Sequence, residues 1–160
     1  MNTASPATST LSLPTEREIR LERIFAAPRD LVWRAFTDPE LLRQWWGRGN
    51  RLDVERFELE RGGHWRFVEH HDGGSDGFEG RFREVSPPER MVQTFEWDGM
   101  PGYTSIQTAE FEDLGDGRTR VTTTVAFFAP EERDGMLQSG MQQGLDQSYE
   151  HLDALLAGLR

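Results

Sequence analysis

The chain has 160 residues, 36% apolar and 29% charged, which suits one domain with its own hydrophobic core. Its 28 acidic and 18 basic side chains leave a net charge of -10, which disfavours nucleic-acid backbones and anionic membrane surfaces as general partners. Cysteine is absent, so disulfides, thiolate catalysis and Cys-ligated zinc are excluded, and a reducing compartment fits. Every basic residue is arginine, a usage that reflects a GC-rich genome rather than a function. No apolar run approaches the ~20 residues of a spanning helix.

The first fifteen residues are rich in Ser, Thr, Pro and Ala and uncharged, without the basic start and apolar block of a secretory signal. They are expected to form a disordered tail on a cytoplasmic protein, leaving residues 16–160 as the domain. Glu18 to Ala26 alternates as a strand, with Ile19, Leu21 and Arg23 on one face and a change of phase expected near Phe25. Pro28 can open a helix whose apolar residues Leu31, Val32, Ala35 and Phe36 recur at helical spacing. Asp38 and Pro39 supply an N-cap and first turn for a second helix, with Leu41, Leu42, Trp45 and Trp46 on its apolar face.

From Arg51 to about Phe128 the pattern predicts a meander of strands. Gly62–Gly63 and Asp72–Gly73–Gly74–Ser75 read as turns, Pro87–Pro88 as a loop, and Phe78, Gly80 and Phe82 as an alternating set. Met91 to Trp97, Tyr103 to Glu112 and Thr119 to Phe128 follow as further strands. After Ala129–Pro130 one long helix is expected, with apolar residues at a 3.6-like spacing and two glycines, Gly140 and Gly144, in its middle. Each glycine costs ~1 kcal/mol relative to alanine inside a helix, so the pair implies close packing on the sheet or space left for a ligand.

This order predicts an α+β fold: a curved antiparallel sheet of six to seven strands wrapped around a long C-terminal helix, with two short helices after the first strand. One helix rarely fills such a concavity, so a pocket between helix and sheet is the physical expectation. The residues that would line it are Trp65, Phe67, Glu69, Phe78, Phe82, Phe95 and Trp97 from the sheet and Met141 and Leu145 from the helix.

Five stretches carry a family resemblance. They are Leu31 to Glu40 with Trp45–Trp46, Gly62 to Trp65, Gly80 through Pro87–Pro88–Glu89–Arg90, Gly115 to Thr122, and Gly140 to Ser148. Together they resemble the START-like (SRPBCC, helix-grip) proteins, and within them the domain similar to the C-terminal part of the activator of the 90-kDa heat-shock-protein ATPase. The likeness runs from Glu16 to Leu159 and implies the helix-grip fold. Two departures bear on function. Leu145 stands where many members have an aromatic residue, which would enlarge or reshape the pocket. A short polar tail stands where the eukaryotic co-chaperones carry a chaperone-binding domain, so the family name is not read as the activity.

Strand alternation puts Glu69 on the face of Trp65 and Phe67, where the family usually has an apolar residue. It is either a buried carboxylate able to bond a ligand or act as acid or base, or a solvated one at the pocket mouth. His64, His70, His71 and His151 have no metal-ligand spacing, and His70 and His71 point to opposite faces of one strand. No nucleophile elbow or phosphate-cradling glycine loop is present. The sequence calls for no metal and no cofactor. The expected function is to hold a small hydrophobic or amphipathic ligand. The alternatives are a cyclase- or hydrolase-type enzyme using Glu69 or His71, and a chaperone-modulating or other interaction domain. A homodimer is possible.

Overall fold

A computed structural model describes residues 9–159. Period-two patterning makes most of it one sheet. In β4 (His64–His71) the inward positions Trp65, Phe67 and Glu69 are buried while Arg66, Val68 and His70 are half-exposed. β2 (Glu18–Phe25) alternates likewise, and the sheet also contains β3 (Arg51–Phe57), β5 (Gly74–Ser86), β6 (Arg90–Trp97), β7 (Thr104–Asp113) and β8 (Thr119–Ala126). With β1 (Thr10–Ser12) these form an eight-stranded antiparallel sheet ordered β1-β2-β8-β7-β6-β5-β4-β3, so β7 and β6 are its two central strands. Irregular pairing near Val54 in β3 and between Phe82 and Glu84 in β5 adds local bend.

Two short helices, α1 (Arg29–Thr37) and α2 (Pro39–Trp45), follow β2 as expected. Asp38 caps α2, its carboxylate accepting from the Glu40 amide at 2.9 Å, and Pro39 takes the first helical position. At the C-terminus, α3 (Pro130–Gln138) is followed by α4 (Met141–Leu159), which lies against the concave face. The α+β helix-grip arrangement expected from the sequence is the one formed.

Three details differ from the expectation. The eighth strand, β1, lies inside the segment expected to be a tail: Thr10, Leu11 and Ser12 pair with Glu22, Leu21 and Arg20. Ser9 is tied to α4, its amide donating to Asp146 and its carbonyl accepting from Gln142. A short polar strand is what an exposed sheet edge takes, and low hydrophobicity cannot distinguish it from a tail. Residues 1–8 of that expected tail lie outside the described residues. Phe25 stays in phase with Ile19, Leu21 and Arg23, all four being buried. The single C-terminal helix is two, because Gly140 adopts φ of +84°, a left-handed conformation that ends α3 and that glycine reaches without a Cβ clash.

The core joins residues of the two short helices, α4 and the sheet. Phe36 packs against Trp45 at 4.9 Å and Phe111 at 5.2 Å between ring centroids, and Tyr149 meets Phe25 edge-on at 5.1 Å. Helix α4 supplies Tyr149, Leu152 and Leu156 to this cluster. Its first turns, with Met141, Gly144 and Leu145, cover a part of the sheet that is not filled.

Candidate functional site

Between the concave face and the first half of α4 lies a cavity of about 420 Å³. That is within the range of roughly 300–1,000 Å³ usual for small-molecule sites. Gln93, Phe95 and Trp97 of β6 and Ser105 and Gln107 of β7 form its floor. Phe57, Phe67 and Phe78 come from β3, β4 and β5, and Met136, Met141, Leu145 and Ser148 from the helices above. Trp46, just past α2, stands edge-on to Phe67 at 5.1 Å and to Phe78 at 5.2 Å, closing the aromatic wall.

Of the nine residues expected around a pocket, Phe67, Glu69, Phe78, Phe95, Trp97, Met141 and Leu145 line this cavity. Trp65 and Phe82 do not; each is 1% exposed within the packed core. The Trp65 indole donates to the Thr94 carbonyl at 3.2 Å and lies over Gly80, where a Cβ would overlap both groups. Alternation predicts the face of a strand but not where along that face packing gives way to space.

Glu69 is buried, its side chain 4% exposed, so it is not a solvated carboxylate at the mouth. One of its oxygens accepts from Arg48 Nη2 at 2.7 Å, from Arg48 Nε at 3.2 Å and from Asn50 Nδ2 at 2.7 Å. Arg48 reaches it from an unusual backbone. Its φ is +60°, between Gly47 at +94° and Gly49 at +85°. The left-handed region costs a non-glycine residue about 1–2 kcal/mol, so the surroundings must hold it. The Arg48 amide donates to the Ser148 hydroxyl at 2.9 Å, and its stem crosses Gly144, where a Cβ would stand 3.3 Å from Arg48 Cδ. The close approach implied by the helical glycines is therefore real at Gly144 and made by a side chain, whereas Gly140 serves the helix break.

Outside the cavity, Arg48 and Asp76 also border an open polar depression with Asn50, His71, Asp72, Gly73 and Gln147. His71 lies there rather than in the cavity, its Nε2 2.8 Å from Asp76, whose second oxygen accepts from the Trp97 indole at 3.0 Å. His64 pairs with Glu79 and His70 with Asp53, so these three histidines each face a different carboxylate. Among the described residues no three His, Asp or Glu side chains converge as a metal site would require.

Tyr149 closes the inner end of the cavity, and burial pushes its hydroxyl up to about 12 against the opposing hydrogen bond to Thr123. Beneath it Arg23, buried despite its charge, bonds Asp153 at 2.7 Å and stands 5.4 Å from the Tyr149 ring centroid.

A family model described as "Activator of Hsp90 ATPase homolog 1-like protein" matches residues 26–157. The chain belongs to this family. No curated protein matches it significantly in sequence. Among solved structures, a protein from Rhodobacter sphaeroides superposes with a TM-score of 0.87 at 28% identity, over 95% of this chain and 99% of that one. A Nitrosomonas europaea protein gives 0.78 at 26% identity, over 91% and 97%. An Hsp90 activator from Plasmodium falciparum gives 0.56 at 19% identity, over 77% and 89%, a likeness of fold alone.

Sequence reasoning passed over Gln93, although it shares a face of β6 with Phe95; Ser105 and Gln107 reach that face only through the β6–β7 register. Trp46, Arg48 and Tyr149 were not accessible that way, since only the packing of α2 and α4 brings them to the cavity. Among the described residues no helix is long and apolar enough to cross a membrane.

Proposed function

We propose that this member of the family is a small-molecule binding domain that holds a hydrophobic or amphipathic ligand between sheet and C-terminal helix. The observation that carries this reading is the cavity of about 420 Å³, walled by aromatic rings and roofed by Met141 and Leu145. The acid/base alternative has less support. The Glu69 oxygen already accepts three hydrogen bonds, and His71 faces the outer depression. The chaperone-modulating alternative draws on the family description and on a fold-level likeness to the Plasmodium activator.

Native mass spectrometry of freshly purified protein tests the proposal, together with titration by the neutral fluorescent probe N-phenyl-1-naphthylamine. Bound mass that disappears on denaturation, or probe fluorescence that Leu145→Trp suppresses by filling the cavity, is the expected result. A bare chain mass with no probe uptake by the wild type refutes it. The same spectrum reads out whether the chain is a homodimer.

A further inference from the structure

The cavity floor holds a feature that hydrophobic ligand binding alone does not require. Gln93 and Gln107 sit directly opposite each other on β6 and β7, the two central strands. Both residues line the cavity. β6 and β7 make side-chain hydrogen bonds elsewhere, through Arg90, Thr94, Glu96, Thr104 and Glu110. Among the described residues, no protein group hydrogen-bonds the side chain of either glutamine.

A primary carboxamide offers two donors and one carbonyl acceptor. Both glutamines are half-buried and make no protein hydrogen bond, so their carboxamides are free to bond whatever occupies the cavity. The charged groups at the cavity are already matched: Glu69 by Arg48 and Asn50, Asp76 by His71 and the Trp97 indole. An anionic ligand would find Arg48, the cation at the cavity, already paired with Glu69 and would lose hydration, whereas a neutral donor–acceptor edge finds two glutamine side chains. Phe78 and Phe95, 5.5 Å apart between centroids, flank the floor with ring faces and edges that suit a flat body.

Resting on the cavity-binding reading above, we infer that Gln93 and Gln107 select a flat, uncharged ligand whose deep end carries an adjoining hydrogen-bond donor and acceptor, of the lactam or hydroxyketone kind. Fatty acids and plain hydrocarbons are selected against.

Three bicyclic probes of similar size test this by quenching of the cavity tryptophans: 2-quinolinone (a lactam edge), naphthalene (no polar edge) and 1-naphthoate (a charge). Wild-type protein is expected to bind 2-quinolinone about tenfold or more tightly over both others, the gain of two net hydrogen bonds. Gln93→Leu/Gln107→Leu, checked for folding by circular dichroism, is expected to lose that preference while still taking up N-phenyl-1-naphthylamine. Should the double variant not fold, Gln93→Met and Gln107→Met are read singly, each losing part of the preference. Equal affinity for 2-quinolinone and naphthalene in the wild type, or a preference unchanged in the variants, overturns the assignment. If N-phenyl-1-naphthylamine still binds in that case, the cavity reading survives and only the selectivity fails. If no probe binds the wild type, the cavity reading itself has failed.

Discussion

Replacing Arg48 with methionine strips the buried Glu69 carboxylate of its cation while keeping the length of the stem over Gly144. The backbone penalty at φ of +60° is unchanged, since methionine pays it as arginine does. What is lost is two of the three hydrogen bonds to the Glu69 oxygen, with Asn50 keeping the third. Removing one partner of a fully buried pair costs about 3–5 kcal/mol, and of an exposed pair about 0–1. This pair lies between those limits, because the Glu69 side chain is 4% exposed and that of Arg48 is 44%. The expected loss is therefore about 2–3 kcal/mol. In a chain of this length that lowers Tm by roughly 4–12 °C.

The assay is urea unfolding of wild type, Arg48→Met, Glu69→Leu and the double variant, combined as a cycle. Arg48→Met/Glu69→Leu removes both charges together and is expected to return to within about 1 kcal/mol of wild type, because an apolar pair of similar volume replaces a buried ionic one. If Arg48→Met unfolds within about 0.5 kcal/mol of wild type, the carboxylate does not depend on Arg48 and the reasoning is wrong. A double variant as unstable as Arg48→Met would place the cost in the methionine rather than in the stranded charge.

Gly80→Ala sets a Cβ against the Thr94 carbonyl and the Trp65 indole inside the β5–β6 pairing, and is expected to cost at least about 3 kcal/mol by the same unfolding assay. Tyr149 gives a pH dependence. Its folded value, raised to about 12 chiefly by burial, exceeds the ordinary value of 10.0, so the folded chain holds this proton more tightly than the unfolded one. Stability from this group is therefore full below about pH 10 and is lost as pH rises toward about 12, by up to roughly 3 kcal/mol. In a Tyr103→Phe background, where Tyr149 is the one tyrosine left, tyrosinate absorbance should rise near pH 12 or with unfolding. A rise near pH 10 with the fold intact would contradict the burial.

Much of the fold was legible because it rests on local pattern. Asp38–Pro39 starts α2 through a cap that can be read in two residues, and the alternation around Trp65 and Phe95 sets the face of each strand. Misreadings fall where two physical states share one pattern. Thr10–Ser12 has the composition of a tail and the role of an edge strand; Gly140 fits a helix interior as well as a left-handed stop. The site was legible by face but not by depth. Trp65 and Phe67 are two residues apart on one strand, yet one is core and the other cavity wall, a difference set by where α2 and α4 come down on the sheet.

That placement traces to the uneven composition of α4. From Tyr149 onward it carries Tyr149, Leu152 and Leu156, large enough to fill the concavity, whereas before that it faces the sheet with Met141, Gly144, Leu145 and Ser148. The small residues at Gly144 and Ser148 admit Arg48 rather than ring or branched-chain volume. The cavity is partly open to solvent, so no dry void has to be sustained. Water fills it where no ligand does. Water would satisfy Gln93 and Gln107 but gain nothing from the rings of Phe67, Phe78 and Phe95 around them. A ligand with a polar edge and an apolar body satisfies both at once.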